Sequence, residues 1–377
     1  MSRWLLHAAL LGLLTGCAST PNLPPPAVGE RPSIESDEAG LWAQMEAFEK
    51  RLQYAPDRVT DPALNAYVRD LTCKLAGEYC GDIRVYILRQ PYFNAAMAPN
   101  GMLVIWTGLL LRAEDEAQLA FVLGHEIGHY VSRHSIERWR QMKSTANVAT
   151  AISVLSAGAG AGLAGALATM GAYSSLYAFS REQEREADDY GLKRLRELGY
   201  DPRRAGQLWA AVWDEERQRE RGLMSAIFAT HPASEERRDR LLQAAADGEG
   251  QRGFENFQAR VAALRPSWFE DELSRRHFRQ SAVLFARLRA LPPLAGEAAY
   301  YQGEMYRKRA GEGDVTRALE AYDAALAAGR APPAVHRSRG LVLRQLGRAE
   351  AAREAFRRYL ELAPEASDRA MIESYLQ

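Results

Sequence analysis

The sequence has few cysteines and no excess of charge of either sign. Three cysteines in 377 residues are too few for a scaffold held together by disulfides. Lysine plus arginine equals aspartate plus glutamate at 48 each, which excludes a strongly basic nucleic-acid-binding protein and an acidic tail protein. The remaining composition, 47% hydrophobic and 25% charged, is ordinary for a globular protein, and the length favours two domains.

The N-terminus lacks an apolar run long enough to cross a bilayer as a helix, which takes about 20 residues. The run from Trp4 to Leu14, preceded by Arg3, has the length of a secretory signal instead. It ends in Leu14-Thr15-Gly16-Cys17, which resembles a bacterial lipobox. This resemblance implies that residues 1–16 are a signal peptide and that Cys17 is lipidated. An ordinary cysteine after the signal is the alternative.

The residues that follow Cys17 indicate a cellular location and an extended tether. Ala18, in place of an aspartate, resembles the sorting signal of outer-membrane lipoproteins. Residues 17–35 are rich in proline and predict an extended tether. We therefore expect a lipid-anchored protein on the periplasmic side of the bacterial envelope, at the outer membrane.

The other two cysteines, Cys73 and Cys80, flank a short segment. Because the expected compartment is oxidising, this pair predicts a local disulfide. A metal site is the less favoured interpretation, since no second pair of cysteines or histidines lies nearby in the sequence.

The mature chain divides into residues 36–248 and residues 265–377. The first part mixes helical periodicity with a few short strand patterns, which predicts a mainly helical α+β domain. Helices are predicted over residues 36–55, 62–78, 114 to beyond 134, and 180–198, and strands over residues 83–88, 94–98 and 102–106. The Pro99-Asn100-Gly101 turn between the last two strands predicts a hairpin.

The third of these helices contains the motif His125-Glu126-Ile127-Gly128-His129. Residues four apart lie on the same face of a helix, so the two imidazoles can bind one Zn²⁺. Glu126 lies beside them and can act as general base toward a water molecule. The neighbouring apolar residues predict that the motif is buried, where such a cluster without a metal would be costly. We therefore expect one zinc ion per chain.

A catalytic zinc needs a third protein ligand and an open position. A metzincin is excluded, because Ser132 and Ser135 stand where that family requires glycine and histidine. Glu184 and Asp188 lie four residues apart in a later predicted helix, so one carboxylate can bind zinc while the other orients a ligating histidine.

The two motifs together resemble a gluzincin family, that of HtpX, the CAAX prenyl protease and BepA. Members share H-E-x-x-H followed by E-x-x-x-D, and the resemblance implies that Glu184 is the third zinc ligand, with Asp188 behind a ligating histidine. Thr230-His231-Pro232, with Arg237 six residues after the histidine, resembles a further family segment near the metal. The resemblance implies that His231 either occupies the fourth position on zinc or supports the transition state.

The segment from Asn94 to Gly101 resembles the part of the family's sheet that lies beside the cleft. We expect a peptide substrate to pair with an edge strand there, at Asn94, Ala95 and Ala96. HtpX and the prenyl protease have transmembrane helices around their catalytic helices. The only comparable stretch here, residues 144–180, is uncharged and rich in alanine and glycine, which does not favour membrane insertion. Residues 144–180 have two interpretations. They form either a mobile hairpin beside the active site or a packed pair of helices.

Residues 265–377 predict an all-α domain of tetratricopeptide-type repeats. A 34-residue frame from Pro333 fits that pattern at Gly340, Leu343, Gly347, Ala352, Phe356, Tyr359 and Pro364. A preceding copy aligns Gly303, Tyr306, Ala318, Tyr322 and Ala325, and residues 268–292 fit a degenerate third copy. Such arrays present a concave surface to extended peptides or partner proteins, although a purely packing role is the alternative.

These features predict a zinc-dependent endopeptidase of the bacterial envelope that hydrolyses misfolded or stalled envelope proteins. Unfolded or misassembled envelope proteins are the expected substrates, the outer-membrane assembly machinery is a candidate partner of the repeats, and no nucleic acid is expected. The alternative is a chaperone or assembly scaffold that acts through the repeats, with a silent or latched metal site. The intact Glu126 favours catalysis, because a scaffold has no need of a base there.

Overall fold

A computed structural model describes residues 23–36, 38–144, 179–219, 231, 235–244 and 248–377. The predicted signal peptide, Cys17 and residues 145–178 of the alanine- and glycine-rich segment lie outside the described residues. Within the described part of the chain, no helix combines the length and the apolar character needed to cross a membrane.

Two helices and a tight turn precede the sheet. They are α1 (Ala39–Leu52), α2 (Pro62–Ala76) and a 3-10 helix (Gly77–Asp82). The Asp61 side chain accepts a hydrogen bond of 2.7 Å from the backbone N–H of Leu64, so α2 begins where Asp-Pro predicts a helix start. A disulfide joins Cys73 to Cys80 and ties the 3-10 helix to α2.

The three strands form one sheet in the order β1-β3-β2, in which β1 and β2 are the edges. They are β1 (Arg84–Leu88), β2 (Ala95–Met97) and β3 (Met102–Trp106). β2 and β3 pair antiparallel with Ala96 opposite Val104, which confirms the predicted hairpin. Gly101 takes the positive φ of 85° that the turn requires, and a Cβ there would come within 2.0 Å of a backbone oxygen.

The predicted helix from residue 114 to beyond 134 is wrong at its C-terminal end. The structure has three helices here: α3 (Thr107–Arg112), α4 (Glu116–Val131) and α5 (His134–Ser144). Arg133 has a positive φ of 55°, and its N–H bonds to the carbonyl of Tyr130, so the chain turns before α5 begins. Arg133 is held in this turn because its guanidinium donates a hydrogen bond of 2.6 Å to Glu38.

The next helix packs closely along α4. It is α6 (Arg181–Glu197), followed by α7 (Arg203–Arg217) and α8 (Glu235–Ala244). α6 starts with a capping box in which Ser180 and Gln183 bond each other's backbone N–H groups. A Cβ on Gly124 would lie 3.1 Å from the Cα of Gly191, so small residues allow the close approach of α4 and α6.

The C-terminal part is entirely helical in its described residues. Its helices are α9 (Phe254–Val261), α10 (Arg265–Ser274), α11 (Phe278–Arg289), α12 (Ala295–Arg309), α13 (Asp314–Ala328), α14 (Ala334–Gln345), α15 (Ala349–Leu362) and α16 (Arg369–Ser374). Gly303 faces the ring of Tyr322, and Gly340 faces the ring of Phe356, with no space for a Cβ. These are the small and aromatic positions of the predicted repeat. The predicted fold class, a mainly helical α+β domain followed by helical repeats, is confirmed.

Buried ion pairs join the repeats to the first part of the chain. Arg112, at the end of α3, donates a hydrogen bond of 2.6 Å to Glu215 on α7 and one of 3.0 Å to Glu272 on α10. Arg275 contacts Glu272 at 2.8 Å, and the side chains of Arg112, Glu215 and Glu272 are at most 4% exposed. Because the charges are buried, each depends on its partners.

Glu272 makes this contact pH-dependent. Burial alone would raise the pKa of Glu272, but the charges of Arg112 and Arg275 lower it from 4.5 to about 2. The pKa of Glu272 is lower in the folded state than in the unfolded state. The ionised Glu272 carboxylate therefore stabilises the folded protein by about 3 kcal/mol above pH 4.5, and this stabilisation is lost as the pH falls toward 2. We expect the difference in unfolding free energy between the wild type and Glu272→Gln to shrink from pH 6 to pH 3 in urea denaturation. An equal difference at both pH values would contradict this assignment.

Candidate metal centre

Helix α4 supplies the core of the site. Asp115 caps the helix by accepting a 3.1 Å hydrogen bond from the N–H of Gln118, and Glu116 in its first turn suits the helix dipole. His125 and His129 lie one turn apart and are 4% and 1% exposed. Their Nε2 atoms are 3.1 Å apart, so both rings point to the same place, as the motif predicts.

Two further residues complete a cluster of four possible ligands. Glu184 comes from α6, and His231 precedes α8. One ligand atom from each of His125, His129, Glu184 and His231 lies within 4.8 Å of the other three, and all four residues are buried. His231 Nδ1 is 2.8 Å from Glu184 Oε1 and 3.2 Å from His125 Nε2. The structure therefore brings together the residues that the motif and the resemblance indicated separately.

This donor set fits a zinc ion. Three imidazole nitrogens and one carboxylate oxygen are ligands that zinc prefers, in the number of a four-coordinate site. Glu126 lies beside them, and its Oε1 is buried and accepts no hydrogen bond from the described residues. His231 Nε2 is 3.5 Å from that oxygen. A buried carboxylate oxygen without a hydrogen bond is costly in a purely structural role.

The electrostatics keep two of the four candidate ligands, His129 and Glu184, in the forms that bind a metal. Burial lowers the pKa of His129 well below its usual value, so the ring is neutral. Burial would raise the pKa of Glu184, but the charges of Arg237 and His231 lower it well below its usual value. Metal ligands must be deprotonated, and both groups meet that condition.

Asp188 and Arg237 support the ligands. Asp188 lies one turn after Glu184 on α6, and its Oδ1 is 2.9 Å from His125 Nδ1. Arg237 on α8 donates two hydrogen bonds to Asp188, of 2.7 and 2.9 Å, and also contacts Glu184. Burial would raise the pKa of Asp188, but Arg237 and His125 lower it to about 2. A carboxylate on the second nitrogen fixes the tautomer and direction of a ligating histidine.

Three other residues of the site were not assigned a position from the sequence. Phe179 stacks on the ring of His129 with centroids 3.8 Å apart. His134 Nδ1 is 2.8 Å from His129 Nδ1, and the guanidinium of Arg237 lies 4.0 Å over the ring of Trp209. The sequence has no signal for Phe179 or Trp209, since each reaches the site only through packing.

The predicted substrate strand lies at the edge of the sheet. β2 pairs with β3 on one side and packs beside α4. Asn94 and Ala95 are buried, whereas Ala96 is partly exposed. Asn94 precedes the strand, and its carbonyl accepts a 3.1 Å hydrogen bond from the N–H of Trp106.

Comparison with known families agrees with this geometry. A model of Peptidase family M48 matches residues 54–245, which are half of the chain and contain all four clustered residues. A tetratricopeptide repeat model matches residues 268–329 and 307–367.

Several known proteases are similar in sequence. Mitochondrial metalloendopeptidase OMA1 of Schizosaccharomyces pombe is 34% identical over 154 residues, which are 41% of this chain and 44% of that protein. Metalloprotease LoiP of Escherichia coli is 34% identical over 174 residues, 44% of this chain and 63% of that protein. The beta-barrel assembly-enhancing protease of E. coli is 27% identical over 199 residues, 50% of this chain and 40% of that protein. The chain thus covers less than two thirds of the length of each relative.

Proposed function

Because the chain belongs to peptidase family M48, we propose that it is a zinc-dependent endopeptidase with Glu126 as its general base. The observation that carries the proposal is the buried cluster of His125, His129, Glu184 and His231 beside Glu126. A purely packing role gives no reason to bury three imidazoles and two carboxylates together.

In the proposed mechanism, His125, His129 and Glu184 would hold the zinc ion. When bound, zinc polarises the scissile carbonyl and lowers the pKa of a water molecule. Glu126 takes the proton of the attacking water on Oε1, and it gives that proton to the leaving amine as the C–N bond breaks. Asp188 accepts a hydrogen bond from His125 Nδ1–H, and it thereby keeps the ring in the tautomer whose Nε2 could bind zinc.

The substrate is proposed to lie extended along β2. Among the described strands β2 lies at an edge of the sheet, so its outer backbone groups can pair with a second chain, and Asn94, Ala95 and Ala96 have side chains small enough for that chain to approach. Main-chain pairing holds a peptide without reading its sequence, which suits an enzyme that acts on many unfolded proteins.

His231 is proposed to latch the site. With this histidine among the four donors, no donor position is left open, whereas hydrolysis needs an open one. His231→Ala is expected to raise the rate of peptide cleavage, by about ten-fold if the open state of the wild type is about 10% populated. The rate is measured on a short unstructured peptide, with His336→Ala in the repeats as the control. Loss of cleavage with zinc retained would instead assign His231 to support of the transition state.

The proposed substrates are unfolded or misassembled envelope proteins, and the repeats are proposed to contact the outer-membrane assembly machinery. Two features support this. One relative is named as a beta-barrel assembly-enhancing protease, and the N-terminus has the pattern of a lipoprotein signal. Cys17 would then anchor the chain at the outer membrane, on the periplasmic side.

Metal removal tests the proposed function. The mature chain is incubated with an unfolded outer-membrane β-barrel protein, with and without a chelator. We expect the chelator to lower the cleavage rate by about 100-fold or more and added zinc to restore it, because the metal supplies several kcal/mol of transition-state stabilisation. Magnesium, which prefers oxygen ligands, is the control ion and is not expected to restore cleavage. Cleavage that persists in the chelated protein would rule out the zinc mechanism.

A scaffold function is the second candidate, and the position of His231 favours it because a filled fourth position silences hydrolysis. If neither the wild type nor His231→Ala cleaves the unfolded β-barrel protein while zinc is bound, the scaffold becomes the better explanation. The repeats would then carry the function.

A further inference from the structure

A pocket opens next to the proposed metal centre, and we call it the side pocket. Its lining includes His129 together with Met97 and Pro99, which lie at the end of β2 and two residues beyond it. A peptide that pairs with β2 and passes the zinc ligands brings one of its side chains to this pocket, because alternate side chains of an extended chain point to the same side.

Three elements contribute apolar side chains to the walls of the side pocket, which also has polar and charged residues in its lining. Trp42 comes from α1, Ile136 from α5 and Met97 from β2. Met97 and Ile136 are buried, and Trp42 is half-buried. An apolar side chain placed among these residues would gain about 25 cal/mol for each Å² of its surface removed from water.

The charged groups in the lining form ion pairs with neighbouring residues, so their charges are neutralised. Glu38 accepts hydrogen bonds of 2.6 Å from Arg133 and 2.8 Å from Arg140. Glu30 lies 3.8 Å from the same Arg133. A charged substrate side chain that enters the pocket would therefore lose its hydration and find no unpaired group of opposite charge in the lining. Its burial there would be unfavourable.

The remaining wall is built by the N-terminal segment, residues 23–36. Pro26 and Pro32 line the pocket, and two contacts fix the stretch between them. The Tyr79 hydroxyl donates a 3.1 Å hydrogen bond to the carbonyl of Pro26. The N–H of Gly29 donates to the Asp82 carboxylate at 2.9 and 3.1 Å.

The two residues that hold the N-terminal segment belong to a part of the fold that is fixed by the disulfide. Tyr79 and Asp82 both belong to the 3-10 helix, which the Cys73–Cys80 disulfide ties to α2. Proline restricts the backbone of the N-terminal segment, so little conformational entropy is lost when the segment docks. The segment is thus a preformed wall at the side of the cleft, and it contains residues 23–35 of the predicted tether.

We infer that the side pocket is a substrate subsite, one that receives an apolar side chain of the substrate next to the scissile bond, with the N-terminal segment as one of its walls. This inference rests on the proposed endopeptidase function and specifies its substrates further. Apolar side chains are mostly buried in folded proteins and become accessible on unfolding. A requirement for one beside the cleaved bond would direct the enzyme to unfolded chains.

The test compares cleavage profiles. The full mature chain with zinc is given unstructured peptides that differ at single positions around the cleaved bond, with alanine, leucine, phenylalanine, aspartate or lysine there. The wild type is expected to disfavour aspartate and lysine at one position by about ten-fold or more. Trp42→Ala, which widens the pocket, is expected to shift the preference at that position toward phenylalanine by about ten-fold relative to leucine.

A second variant and a control keep the test informative. Asp82→Ala releases Gly29 without touching the pocket lining or the zinc ligands, and it is expected to weaken the preference at the same position. Tyr54→Ala removes an aromatic side chain that is 87% exposed just after α1 and is expected to leave the profile unchanged. Unchanged profiles for both Trp42→Ala and Asp82→Ala would overturn the subsite and leave the endopeptidase standing. No cleavage of any peptide by either the zinc-loaded wild type or zinc-loaded His231→Ala would overturn the proposed function, and the subsite with it.

Discussion

Glu126→Gln is expected to lower kcat for peptide cleavage by about 10³-fold, because general-base catalysis commonly contributes 10²- to 10⁴-fold. Glutamine has nearly the same shape as glutamate but cannot take a proton from water. The rate is measured on an unfolded outer-membrane β-barrel protein, as a time course of intact substrate. Since Glu126 is not among the four clustered ligands, the variant should keep its zinc.

The zinc content of the variant decides how the result is interpreted. A normal zinc content together with the loss of cleavage assigns the base, whereas the loss of both would mean that the substitution disturbed the ligands. Glu182→Gln is a matched control, because Glu182 lies on the same helix α6 as Glu184 but its side chain is 82% exposed. Cleavage by Glu126→Gln at the wild-type rate would exclude Glu126 as the base.

Arg112→Met is expected to lower the free energy of unfolding by about 3–5 kcal/mol, the usual cost of removing one partner from a buried ion pair. Arg112 is the cation between Glu215 and Glu272, so its loss leaves two buried carboxylates with fewer compensating charges. Methionine has a similar length and fills part of the same space. The free energy of unfolding is measured by urea denaturation at neutral pH.

An exposed ion pair within the repeats provides the control. Arg339 contacts Asp323 at 2.6 Å, and the two side chains are 28% and 50% exposed. Arg339→Met should cost no more than about 1 kcal/mol, because such pairs are solvated and contribute little. If Arg112→Met cost as little as this control, the buried cluster would not be what joins the repeats to the rest of the protein.

Much of the site follows from local patterns. His125 and His129 share one face of α4 because they are four residues apart, and Asp61 starts α2 because its side chain can cap the helix. The β2–β3 hairpin follows from the turn at Gly101. The family was recognised from short motifs in the same way, and the match of the M48 model to residues 54–245 confirms it.

Other features depend on contacts between distant residues. The end of α4 is set by Arg133, whose partner Glu38 lies 95 residues earlier in the chain. Phe179 is near His129 only because α6 packs against α4. Helical periodicity continues through the end of α4, so it cannot show where the turn comes.

The sequence by itself indicated most of the helices and strands, the repeats, the His-Glu-x-x-His motif and the family, because each depends on residues that are neighbours along the chain. Only the tertiary structure decided that the N-terminal segment forms a wall beside His129 and that Phe179 stacks on the ring of that histidine. It also decided that Arg112 bridges the two parts of the chain to Glu272, across 160 residues. Such contacts between distant residues result from the packing of the whole core, and the spacing of residues along the chain does not predict them.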